Sequence, residues 1–271
     1  MKILFVGDVM GRSGREALEK YLPVLKEKLE PDVVIVNGEN AASGAGITPK
    51  ICEEFYGWGV NVITTGNHVW DQREIIPYID RNKNLLRPVN YPEGSPGTGI
   101  VKYRLDDGRF ITVINAMARL FMEALDDPFR IVKEIVEKEA IGKSTHAIFV
   151  DFHGEATSEK LSLAHYLDGK ISALIGTHTH VPTADYHVMP RGTAYMSDAG
   201  MTGDYNSVIG MDKDIAMHRF IKKVAGERLR PAAGPGTLSG VYIVTDDKTG
   251  HAKHIEPVRL GPVLSEHMPK V

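Results

Sequence analysis

Short apolar runs, rich in β-branched residues, alternate along the chain with stretches in which apolar residues recur at helical spacing. The runs are KILFVGD, DVVIVNGEN, NVITTGNH, FITVINAM, HAIFVDFHG, SALIGTHTH, GTAYMSDAG and GVYIVTD, and most are bounded by Gly, Asn, Asp or Pro. Such runs predict strands. GREALEKYLPVLKEKLE, with Ala17, Leu18, Leu22 and Leu25 in step, predicts a helix, and DPFRIVKEIVEKEA predicts another with Ile131, Ile135 and Val136 on one face. ICEEF reads as a helix start. Strand and helix in alternation argue for an α/β layered architecture around a buried sheet. The pattern has no internal repeat and no long linker, so residues 1–271 are expected to form one domain. The strongest irregular stretch, RPAAGPGTLSG at 230–240, reads as a surface loop returning to a last strand. The basic residues before it, Lys222, Lys223, Arg228 and Arg230, read as a solvated helix face rather than a phosphate site.

Composition narrows the function classes. Hydrophobic residues make up 42% and charged residues 25% of the 271, which is an ordinary globular balance. Lys plus Arg is 32 against 35 for Asp plus Glu, a net charge of -3, which argues against wrapping of long nucleic acid by a basic face. It does not exclude a small anionic substrate held through metal ions. The single cysteine, Cys52, makes no intramolecular disulfide and reads as a small buried side chain, which fits a reducing compartment. In MKILFVGD, Asp8 interrupts the apolar run too early for a signal-peptide core, and no run approaches the roughly 18 apolar residues of a membrane span. A cytoplasmic protein with no membrane contact is expected.

The chemistry gathers where strands end. Asp8 closes the first run, Glu39 and Asn40 follow the second, and Asn67 and His68 follow the third. His153 stands in FHGE, and His178 and His180 stand two apart in GTHTH, a spacing that alternation along a strand would send to one side. In open α/β sheets, loops at the carboxyl ends of strands converge on ligands. Taken singly, Asp8 is a turn or cap residue, Asn67 a turn former and His153 a satisfied histidine. Together, oxygen and imidazole donors at equivalent strand ends, flanked by glycines, point to a metal site. Asp8, Glu39, Asn40, Asn67, His153, His178 and His180 are too many for one catalytic cation with an open position, and they suit two cations sharing a carboxylate. A ligand set without thiolate suits manganese, iron or zinc rather than copper(I) or calcium.

MKILFVGDVMGRSGREAL, VNGENAASGAGIT, TTGNHVWDQREI, DFHGEATSEK, GTHTHVPTAD and MSDAGMTGDYNSVIGM resemble, across nearly the whole chain, the calcineurin-like metallophosphoesterase superfamily and within it the bacterial YmdB-type branch. The resemblance implies a four-layer α/β/β/α sandwich with a dinuclear centre at one edge and phosphodiesterase activity on 2′,3′-cyclic nucleotides. Carried over by residue, one metal would take Asp8, Glu39, Asn40 and His180, the other Glu39, Asn67, His153 and His178, with His68 as the acid beside them. The metals implied are two divalent or trivalent ions, iron or manganese before zinc. Met10 stands where the broader superfamily has a histidine two residues after the first aspartate, so Glu39 and Asn40 would have to compensate. The resemblance also admits a homo-oligomer.

These parts demand hydroxide attack at a phosphodiester between paired cations and an acid for the alkoxide leaving group. Two other readings keep the same residues: a phosphomonoesterase or RNA-end phosphodiesterase, and a nucleotide-sensing regulatory protein with incidental turnover. Tyr205, Asn206 and Met211, in a glycine-rich stretch, either border a base or form an ordinary loop.

Overall fold

The computed structural model describes residues 1–224 and 226–270. In chain order the elements are β1 (Lys2–Val6), α1 (Gly11–Leu29), β2 (Val33–Asn37), α2 (Pro49–Gly57), β3 (Val62–Thr64), α3 (Ile75–Ile79), β4 (Ile100–Arg104) and β5 (Phe110–Met117). There follow α4 (Pro128–Lys138), β6 (Ala147–His153), α5 (Thr157–Leu167), β7 (Ala173–Thr177), β8 (His187–Val188), β9 (Ala194–Met196), α6 (Lys213–Lys222), β10 (Leu238–Thr245) and β11 (Ala252–Leu260). One sheet has the order β11-β10-β1-β2-β3 and the other β4-β5-β6-β7-β9-β8.

The sheets lie face to face because successive side chains leave a strand on opposite sides. Ile3, Phe5, Val33 and Ile35 meet Ile111, Val113, Phe149 and Ile175 of the other sheet, with the Phe5 and Phe149 rings 5.0 Å apart. Leu4, Val6, Val34 and Val36 point the other way, onto Leu18, Leu22 and Leu25 of α1 and Phe55 of α2. Ile114, Ile148, Val150 and Leu174 pack beneath Val132 and Val136 of α4 and Leu163 and Leu167 of α5. The result is the α/β/β/α sandwich. With both sheet faces covered, the central strands read as mostly apolar runs with few polar residues, and each fully buried Leu, Ile, Val or Phe contributes about 1.5 to 3 kcal/mol.

Several sequence expectations are corrected in detail. In α4 the buried face is Pro128, Val132 and Val136; Ile135 packs at its edge and Ile131 is half-buried, so the apolar stripe sits one residue from the expected one. The helix started by ICEEF begins earlier, at Pro49, because the Thr48 side chain accepts from the Ile51 N–H at 3.3 Å. The loop 230–240 leads into β10, but β10 is not the last strand: β11 returns antiparallel beside it. The strands without a sequence signal, β4, β8 and β11, lie at sheet edges, where polar residues and, in β11, Pro257 interrupt the apolar pattern. Among the described residues no helix is long and apolar enough to cross a membrane.

Two registers position the site. β1, β2 and β3 run parallel, and so do β5, β6 and β7, with Met117 level with His153 and His153 level with Thr177. Their carboxyl ends therefore open on one edge of the sandwich.

Candidate metal centre

The seven candidate ligands meet at that edge. Asp8, Glu39 and His180 form one group of potential ligands, and Glu39, His153 and His178 form a second, the ligand atoms in each lying within 4.8 Å of one another. Glu39 is common to both. Asn40 Oδ1 lies 3.1 Å from His180 Nε2, and Asn67 Oδ1 lies 3.0 Å from His153 Nε2, so each asparagine joins one group. His68 stands beside them. Its N–H donates to Glu39 Oε2 at 3.3 Å, and its ring Nδ1 is 2.7 Å from Asp71 Oδ2.

The histidine pair is brought in differently from the expectation. β7 ends at Thr177, and His178 and His180 lie beyond it with φ of 102° and 65°, so strand alternation does not aim them. Left-handed turns at these non-glycine residues do. His178 Nδ1 faces His153 Nε2 at 3.1 Å, whereas His180 turns to the Asn40 side.

The donor set fits cations on its own chemistry. Asp8 Oδ1 is buried without a hydrogen-bond partner, while Asp8 Oδ2 accepts the His178 N–H at 3.1 Å. A buried carboxylate oxygen left unpaired is costly unless it has an ion to meet. Burial, with Glu39, Asp198 and Asp151 nearby, drives the Asp8 carboxyl well above its ordinary range against the opposing pull of His153. For Glu39, burial raises the pKa, but His153, His68 and His178 outweigh it and hold the carboxyl low. His153 is the reverse: burial lowers it, while Glu39 at 3.2 Å, Asp8 and Asp151 pull it above an ordinary imidazole. Carboxylates crowded round one buried ring make an environment that favours positive charge.

Outer contacts fix which ring nitrogens face inward. His180 Nδ1 is 2.8 Å from the Ile209 carbonyl, which can only accept, so Nδ1 carries the proton and Nε2 offers a lone pair. Thr177 Oγ1 donates to Asp151 Oδ1 at 2.7 Å and so receives the His153 Nδ1 proton at 2.9 Å. Asp151 is in turn held by Thr64 at 2.5 Å and Asn37 at 2.9 Å. Burial, then the charge of His153, pushes His178 down to about 4, a neutral ring at neutral pH. Space is equally tight: a Cβ at Gly66 would collide with Glu39 Oε2 and the His153 ring.

Asp71, Asp151, Thr177 and the Ile209 carbonyl are absent from the sequence reading. Only Asp71, three residues after His68, and Asp151, two before His153, had a local signal in their spacing. Tyr205 and Asn206 are occupied within the fold, the first donating to the Met201 carbonyl at 2.7 Å and the second accepting from Lys213 at 3.1 Å. Their stretch carries Ile209 to His180. Met10 is buried and lies against Gly210 and Gly203, with no donor to offer there.

Two sheets face to face between helices, with acids and imidazoles gathered beyond the parallel strand ends, define the calcineurin-like metallophosphoesterase fold. A family model described as YmdB-like protein matches residues 4–258, and the chain belongs to that family. It is 48% identical over 268 residues to the 2′,3′-cyclic-nucleotide 2′-phosphodiesterase of Bacillus subtilis, covering 99% of each chain. Among solved structures, a hypothetical protein from Thermus thermophilus superposes with a TM-score of 0.89 at 38% identity, covering 96% of this chain and 99% of that one. A novel phosphatase from Mycoplasma pneumoniae superposes with a TM-score of 0.88 at 33% identity, covering 96% of this chain and 93% of that one.

Proposed function

We propose that the protein is a dinuclear metal-dependent phosphodiesterase that hydrolyses 2′,3′-cyclic nucleotides, with iron or manganese as its cations and zinc as a substitute. The observation that carries the reading is the pair of ligand groups sharing Glu39, in a chain 48% identical to a 2′,3′-cyclic-nucleotide 2′-phosphodiesterase. Asp8, Glu39, Asn40 and His180 would hold one cation, and Glu39, Asn67, His153 and His178 the other. Bound there, the cations supply charge that polarises the phosphoryl oxygens and lowers the pKa of water.

The chain's own residues do the rest. Ile209 and Thr177 keep the His180 and His153 rings in the tautomers that turn Nε2 inward. In the reaction water adds to phosphorus, the phosphorus–oxygen bond to the ribose breaks, and the departing oxygen needs a proton. His68 gives it. Asp71 occupies Nδ1 at 2.7 Å, leaving Nε2 to face substrate, and the ring is partly exposed, as an acid that meets substrate must be.

The test is a comparison on one manganese-loaded preparation of a 2′,3′-cyclic nucleotide, the mononucleotides and a short RNA. The cyclic diester is expected to be hydrolysed fastest, and exhaustive chelation to abolish turnover. Faster release of phosphate from a mononucleotide would make the protein a phosphomonoesterase. Tight nucleotide binding without turnover would make it a sensor.

A further inference from the structure

We propose that the buried ion pair of Lys160 and Asp198 is a positioning device that clamps the His178–His180 turn in the geometry its two imidazoles need. The inference rests on the metal-site reading above. Lys160, from α5, and Asp198, just past β9, are each 1% exposed and lie 3.0 Å apart. Lys160 Nζ also donates to the Thr177 carbonyl at 2.9 Å, in the peptide that leads into His178. Asp198 Oδ2 accepts the N–H of Thr179, between the two histidines, at 3.0 Å, and Asp198 Oδ1 accepts the Gly200 N–H at 2.9 Å. The pair thus grips the turn on both sides of His178.

Two physical facts call for such a grip. Histidine with φ of 102° or 65° is in a sparsely populated conformation, which persists only where surrounding contacts over-determine it. A buried ion pair, for its part, is a poor source of stability, since apolar residues of the same volume often serve as well. Its value lies in direction: it fixes a carbonyl and an N–H of one turn at once. The sandwich also keeps space for it, because a Cβ at Gly176 in β7 would strike both the Lys160 stem and the Ser197 carbonyl.

The experiment measures manganese affinity by competition with a chelating dye, alongside thermal melts of metal-free protein. Lys160→Met alone would strand the Asp198 charge and risks unfolding, so the informative variant is Lys160→Met/Asp198→Asn, which removes both charges together. Leu163→Ala serves as the control, since Leu163 lies in the same helix, α5, and is fully buried in the core beneath it. The double variant is expected to melt cooperatively and to bind manganese about 10- to 100-fold more weakly, whereas Leu163→Ala loses melting temperature and keeps wild-type affinity. A folded double variant with undiminished affinity would overturn the positioning role while leaving the metal site intact. Equal affinity losses in both variants would also overturn it, by tracing the effect to general destabilisation. Wild-type protein that binds no manganese sinks the metal-site reading and this inference with it.

Discussion

Single side chains at this site are tied to more than one neighbour, so their substitutions should separate by what they spare. Glu39 belongs to both ligand groups, and Glu39→Ala should lower metal content and hydrolysis together, the rate by about 100-fold or more; elemental analysis of the purified variant checks the first half. His68→Gln should keep the metals yet lose roughly 100- to 10,000-fold on a cyclic nucleotide, whose leaving oxygen is strongly basic. On a diester with a nitrophenolate leaving group the same variant should lose much less. Equal losses on the two substrates would assign His68 to substrate holding instead. Gly66→Ala adds one methyl where Glu39 Oε2 and the His153 ring already stand; overpacking of this kind costs about 1 to 3 kcal/mol, and a melt together with a metal titration should show both stability and affinity reduced.

At the scale of elements, the edges of the sandwich are tied by charge where the middle is tied by packing. Arg109, at the turn from β4 to β5, reaches Asp107, Asp32 before β2, and Asp247 after β10. Its guanidinium, 2.7 Å from Asp107, holds that carboxyl below the ordinary range. A carboxyl with a lowered folded-state pKa contributes stability that is present above its unfolded pKa and lost as pH falls through the folded value. Arg109→Ala should therefore lower the melting temperature by a few degrees near pH 7, and the gap to wild type should close below about pH 4. Calorimetry across that range is the check. The cap of α4 is a second case: Asp127 accepts from the Phe129 N–H at 3.0 Å, and Asp127→Ala should cost about 1 kcal/mol, read as a shift in denaturant midpoint with unchanged slope.

For the whole molecule, the proposed metal site would itself be a term in stability. Buried acids of both sheets, Asp8 and Glu39 on one side and Asp151 on the other, converge with His153 at the edge where the sheets meet. A cation that binds the folded chain and not the unfolded one stabilises it in proportion to the logarithm of its free concentration above Kd. The melting temperature of chelated protein should accordingly climb as manganese is added, and Glu39→Ala should flatten that dependence. A melting temperature indifferent to manganese in wild type would count against the site as read.

How much of this was legible beforehand depends on the range of the forces involved. The central strands could be read from the sequence because burial on both faces makes them predominantly apolar, and α1 because its stripe is long. The gathering of the candidate ligands could be read as well, since Asp8, Glu39, Asn40, Asn67, His153, His178 and His180 all lie at the ends of such runs, and the carboxyl ends of parallel strands open on one edge. The edge strands β4, β8 and β11 left no such mark, half of their surface being free to carry polar residues. Pairings across the chain were decided by tertiary structure alone. Local spacing cannot tell that Asn40 lies against His180 and Asn67 against His153, that Ile209 sits on the His180 ring, or that Lys160 and Asp198 meet the turn, because those contacts join residues 17 to 140 positions apart. Even the two histidines of GTHTH, close in sequence and aimed at one site, owe their directions to left-handed backbone angles that only the packed sandwich maintains.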